Sequence, residues 1–134
     1  MDSVLETVRS ALEAGDPAPI MAIFSQDVQL HSPAIIGPEY RGRDLVASIV
    51  IAAMKVLKEV RVTDVFRAED AATAGVVFDA RVRELPSQGF MLLRTRGEHI
   101  RELTVLLRPL AALGAFVSAM AELGAQPALD ARNE

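Results

Sequence analysis

The sequence predicts an α+β domain, with helices packed on one face of a mostly antiparallel sheet. Three observations predict it. Apolar residues recur at helical spacing near the amino end and again before residue 58. Alternating stretches joined by short polar turns fill the region after residue 60. Between them and the carboxyl end lies IRELTVLLRPLAAL, residues 100–113, where an alternating strand meets a proline and turns into an apolar helix. From Glu102 to Glu122 the sole intervening ionisable side chain is Arg108, so both elements are expected to be buried and to form the spine of the core.

Each element has a local reason. Ser3 and Glu6 form a capping-box pattern, and Val4, Leu5, Val8 and Leu12 recur at helical spacing until Gly15, which predicts a helix over 3–14. Asp16 and Pro17 open a second, short helix whose stripe is Ile20, Met21, Ile23 and Phe24. A strand is predicted over 28–32, with Val28 and Leu30 on one face, Gln29 and His31 on the other, and Pro33 ending it; a loop with Gly37, Pro38 and Gly42 follows. A helix apolar on most sides is predicted over 43–58. Strands over 60–68, 73–84, 90–96 and 99–108 are joined at 69–72, 86–89 and 97–98, short enough for consecutive antiparallel hairpins. Proline disfavours helical geometry in the residue before it and suits the first helical position, so the last strand ends at Arg108 and a helix runs over 109–123, stopped by Gly124. Residues 1–124 make one domain, and 125–134 a flexible tail.

Composition narrows the function classes. The 134 residues are 51% apolar but only 4% aromatic, so the core is aliphatic. A net charge of -4, with no run of basic residues, gives no electrostatic basis for binding nucleic acid. Zero cysteines exclude thiol catalysis, disulfides and thiolate metal sites, and two distant histidines are too few for a typical zinc site, so no metal or cofactor is expected. The amino end has no basic region before an apolar run, and the most apolar window, 45–54, is too short to span a bilayer. A cytoplasmic protein without membrane contact is the expectation.

The element order resembles the nuclear transport factor 2-like superfamily, in particular its SnoaL-like branch, which includes polyketide cyclases, limonene epoxide hydrolase and ketosteroid isomerase. The residues that carry the likeness are DVQLHSP at 27–33, YRGRD at 40–44, FDARV at 78–82 and IRELTVLLRPLAAL. The resemblance implies a strongly bent, cone-shaped sheet packed against three to four helices around a small-molecule cavity, usually in a homodimer that pairs sheets. Limonene epoxide hydrolase uses an Asp, Arg and Asp set on its central strands. Here Val105 stands at the last strand's expected acidic position, and no Arg-x-Asp pair occupies the cavity side of the strand before. His31 falls where that enzyme places a polar, water-holding residue.

Leu103, Val105 and Leu107 are expected to face the cavity from the last strand, and Phe78, Ala80 and Val82 from an earlier one. Gln29, His31, Tyr40, Met54 and Met91 complete the expected ligand-binding set. An imidazole titrating near neutral pH can act as general base or as hydrogen-bond donor, which makes His31 the leading catalytic candidate. Asp79 and Arg81 share a strand face opposite Phe78 and Ala80; with that facing inverted, Asp79 becomes a second catalytic candidate. Asp64 shares a face with Val62 and Phe66, an odd place for a carboxylate unless a bulge re-aims it. Arg108 either clamps an anionic ligand at the cavity mouth or pins the strand-to-helix corner.

Three functions fit. One is binding of a small hydrophobic molecule in an apolar cavity of a few hundred Å³, on the order of ordinary ligand pockets. Another is a cofactor-free isomerase, cyclase or epoxide hydrolase using His31 with a nearby carboxylate. The third is a dimeric interaction module whose pocket is vestigial. A homodimer is expected in all three.

Overall fold

In the computed structural model, which describes residues 3–33 and 40–124, four helices and six strands form one α+β unit. Helix α1 (Ser3–Ala14) has the predicted bounds and buries the predicted stripe of Val4, Leu5, Val8 and Leu12. Gly15, at φ 69°, ends it in the left-handed conformation that glycine adopts without steric cost, and its N–H donates to Leu12 O. Helix α2 (Ala18–Ala22) is shorter than the stripe to Phe24 suggests, because Phe24 already pairs with Ile100 as the first residue of strand β1 (Phe24–His31). Strand β2 (Tyr40–Arg41) and Gly42 then lead into helix α3 (Arg43–Val56). The chain passes from α3 into strand β3 (Leu57–Arg67) without a loop, so Lys58 is a strand residue and not the helix end.

Strands β4 (Thr73–Val82), β5 (Leu85–Arg96) and β6 (His99–Arg108) complete the sheet. Strand β5 corrects the predicted join at 86–89: Pro86 pairs with Arg81 and Gly89 with Phe78 inside the ladder. The turn is instead at Arg83 and Glu84, where Arg83 takes φ 55°. Local turn chemistry favoured Pro86 and Gly89, and cross-strand pairing overrode it. Helix α4 (Leu110–Glu122) starts one residue later than predicted, with Pro109 as its N-cap after a cis Arg108–Pro109 peptide. The expected tail at 125–134 and the loop residues Gly37 and Pro38 lie outside the described residues.

The sheet order is β2-β1-β6-β5-β4-β3, antiparallel throughout except for the β1–β6 pair, which is parallel. Register shifts interrupt β1, β3 and the β5–β6 ladder, and such bulges bend a sheet and add twist. One of them, between Val62 and Asp64, decides a facing. Val62 stands opposite Phe78 and Asp64 opposite Val77, so Asp64 and Phe66 turn outward while Val62 and Val65 stay inward. The helices cover the inner face, where Phe24, Phe78, Leu93, Ile100 and Leu103 are almost completely removed from water. No helix among the described residues is long and apolar enough to cross a membrane.

Candidate functional site

The curve of the sheet and the helices across it leave a cavity of about 80 Å³. Alternation along β6 points Leu103, Val105 and Leu107 into it, while Phe78 and Met91 enter from β4 and β5. Leu30 contributes from β1, with Ser32 and Pro33 just past its end. Helix α3 presents Ile49, Val50, Ala53 and Met54, the one-face spacing of a helix, and Phe116 and Met120 sit one turn apart on α4. Leu12, Ile20 and Leu57 complete the described lining. Among these lining residues Ser32 carries the one hydroxyl, and none is ionisable.

The cavity is smaller than the sequence suggests because bulky side chains project into it: two phenylalanines, and three methionines whose unbranched chains fill irregular space. Six of the residues expected to contact a ligand line it, namely Met54, Phe78, Met91, Leu103, Val105 and Leu107. Ala80 is buried on the same inner face, one alternation beyond the lining, opposite Ser87. Tyr40 is buried in the core outside the lining, paired across the ladder with Leu30. Sequence reasoning passed over Leu12, Ile20, Ile49, Val50 and Phe116. Their helical periodicity marks them as core, but periodicity does not say which core residues border a void.

The polar candidates occupy the opposite face of the sheet. Gln29 and His31 alternate with the inward Val28 and Leu30, and His31 Nε2 donates to Glu102 Oε2 at 2.7 Å. Glu102 Oε1 is 3.3 Å from Arg94 Nε, Arg94 Nη1 donates to Thr73 Oγ1 at 3.2 Å, and the Thr73 hydroxyl donates to Asp70 at 3.2 Å. This polar line crosses β1, β6, β5 and β4. At its end the backbone N–H of Ala72 donates to Asp70 and, with the Thr73 hydroxyl and N–H, holds the carboxyl below its ordinary pKa. Asp79 is also outward, 3.8 Å from Arg61, and Arg81 pairs with Glu59 at 3.4 Å. Arg108 is exposed on the outer side, beside a shallow dent lined by Val77, Phe90 and Leu106. No cluster of three or more potential metal-ligating side chains occurs among the described residues.

What the cavity can do chemically follows from this division. Its described walls offer apolar surface to a ligand and supply no proton donor or acceptor beyond Ser32. The ion pairs of His31, Asp79, Arg81, Arg94 and Glu102 lie behind the sheet, while Arg9–Glu13 runs along α1 and Arg83–Glu122 joins the β4–β5 turn to α4, and none of these residues lines the cavity.

Comparison with known proteins agrees with the architecture. The structure superposes on a bacterially conserved protein with a cystatin-like fold from Silicibacter pomeroyi with a TM-score of 0.85 at 24% identity, covering 98% of this chain and 92% of that one. A steroid delta-isomerase from Pseudomonas aeruginosa gives 0.85 at 20% identity, over 95% and 93%. A protein with a ketosteroid isomerase-like fold from Catenulispora acidiphila, in complex with trimethylamine, gives 0.63 at 20% identity, over 83% and 88%. At such identities the likeness establishes the fold alone. Among curated proteins there is no significant sequence match. The profile of the SnoaL-like domain matches residues 4–103, and the chain belongs to that family.

Proposed function

We propose that this chain binds a compact, uncharged, apolar molecule in the cavity between its sheet and helices. The observation that carries the reading is the described lining, aliphatic and aromatic side chains with one hydroxyl and no ionisable group among them. An ionised carboxylate or ammonium placed there loses its hydration with no described partner, at a cost of several kcal/mol. A volume of about 80 Å³ favours a short chain or single ring, with the three methionines giving way at little cost.

The alternative, acid–base chemistry by His31 as a cofactor-free isomerase, cyclase or epoxide hydrolase, has its carboxylate in Glu102 but lacks contact with the cavity. It requires a substrate on the outer face. Binding without chemistry is therefore the reading the site favours.

We propose also that the chain is cytoplasmic and forms a homodimer through its outer sheet face. Phe66, Val77, Phe90, Leu92 and Leu106 form an apolar band there, with Phe66 and Leu106 half exposed and the Phe66 and Phe90 rings stacked at 5.9 Å. Charges of both signs flank the band, Glu102 and Arg94 at one end, Asp79, Arg61 and Arg108 at the other, which suits a self-complementary contact.

Native mass spectrometry of gently purified protein, followed by denaturing extraction, tests both parts. A dimer carrying a neutral apolar molecule supports the binding reading. A charged co-purified molecule displaced by methionine-to-lysine substitution at Met91 overturns it. A dimer that neither carries nor takes up any apolar probe favours the interaction-module alternative.

A further inference from the structure

Phe78 and Gly89 face each other across β4 and β5, and the Phe78 ring lies over the Gly89 backbone in the space a side chain would fill. A Cβ built on Gly89 would fall 2.1 Å from Phe78 Cζ and 2.6 Å from both Cε atoms, far inside van der Waals contact. Phe78 is only 1% exposed and lines the cavity, and Gly89 is also paired with Leu107, a lining residue of β6. The ring therefore lies against the β5 backbone at Gly89, where it forms part of the cavity wall. Because the ring is almost fully buried and borders the void, a side chain at position 89 would press it toward that void.

We propose that Gly89 is a specificity-determining residue of the cavity: by leaving room for the Phe78 ring against the sheet, it sets the size of the apolar molecule the cavity accepts. Gly89 acts through Phe78 and is a positioning residue, not a ligand contact. The proposal rests on the reading of the cavity as a binding site, and the experiment separates the two.

Wild type, Gly89→Ala, Phe78→Leu and the double variant are compared for binding of benzene, toluene and naphthalene by ligand-observed NMR, and for methyl chemical-shift changes under xenon pressure. Xenon enters any dry apolar void of sufficient size, whether or not the protein has a natural ligand. The expected result is that Gly89→Ala weakens benzene and toluene binding by about tenfold or more, as small volume changes in apolar pockets do, and loses the xenon response. Phe78→Leu should shift preference toward naphthalene, and adding it to Gly89→Ala should restore both benzene binding and the xenon response. A folded Gly89→Ala protein with unchanged affinities and xenon response overturns the proposal. If Gly89→Ala does not fold, the proposal still falls should Phe78→Leu leave the size preference and xenon response unchanged. Should wild type bind none of the three probes, the binding reading fails, and the xenon response of the variants alone decides whether Gly89 controls the void.

Discussion

His31 and Glu102 are hydrogen bonded at 2.7 Å on the sheet face turned away from the cavity. The histidine is the residue whose chemistry most invites a catalytic role, and its partner is the carboxylate such a role would need. Strand alternation separates both from the apolar void by the thickness of the sheet. Replacing His31 with Ala should therefore change the affinity of a cavity-bound apolar probe by less than about twofold. A double-mutant cycle of His31→Ala with Glu102→Ala should give a coupling energy of about 0.2–1 kcal/mol, since both side chains are partly exposed to solvent. A tenfold loss of probe binding in His31→Ala would join the dyad to the cavity and restore the acid–base reading.

Two glycines of the sheet should respond in opposite ways to the same substitution. A Cβ at Gly75 would lie 2.4 Å from Phe66 Cζ, against 2.1 Å from Phe78 Cζ at Gly89, yet Phe66 is 50% exposed in the single chain and can swing away there. Phe78, over Gly89, cannot. Urea titration should place Gly75→Ala within about 1 kcal/mol of wild type, because lower unfolded-state entropy offsets the lost Phe66–Phe90 stacking. Gly89→Ala should cost about 1–3 kcal/mol, the usual range for overpacking. Equal losses would show that Phe66 is held as firmly as the core ring.

Asp70 links stability to acid pH. Its carboxyl accepts from the N–H groups of Ala72 and Thr73, which holds its pKa in the folded state below the ordinary aspartate value. The unfolded chain then binds the proton more readily, so this contribution is present above about pH 4 and disappears as the pH falls through the folded-state value. The urea midpoint of Asp70→Asn should lie below that of wild type at pH 6, and the two should converge near pH 2. A gap that persists at pH 2 would assign the loss to hydrogen-bond geometry in place of charge.

Leu106 is the most exposed member of the outer apolar band, at 55%. Substituting Glu there should convert a sheet-paired dimer to monomer, read as a halved mass in sedimentation equilibrium, while leaving the cavity probes bound. Unchanged mass would place any dimer contact elsewhere.

Helix α1, Ser3–Ala14 with Gly15 after it, and strand β6, from His99 to Arg108, were legible to the residue from apolar periodicity close in sequence, although the Ser3 hydroxyl donates to Glu98 and not within a capping box. Alternation likewise put Leu103, Val105 and Leu107 on one face, and Val28 and Leu30 opposite Gln29 and His31. The sequence by itself thus determined the element order apart from the two-residue strand β2, the apolar faces and the family likeness. Tertiary structure alone decided the rest. Pro86 and Gly89 look like a turn until β4 is laid beside them, and Phe24 looks helical until Ile100, far along the chain, pairs with it. The bulge between Val62 and Asp64 turns a carboxylate outward that strict alternation would bury. Whether His31 or Leu30 meets the cavity depends on which side of the sheet the helices cover. That choice is made by long-range packing of apolar surface, and local periodicity, identical on both sides, does not contain it.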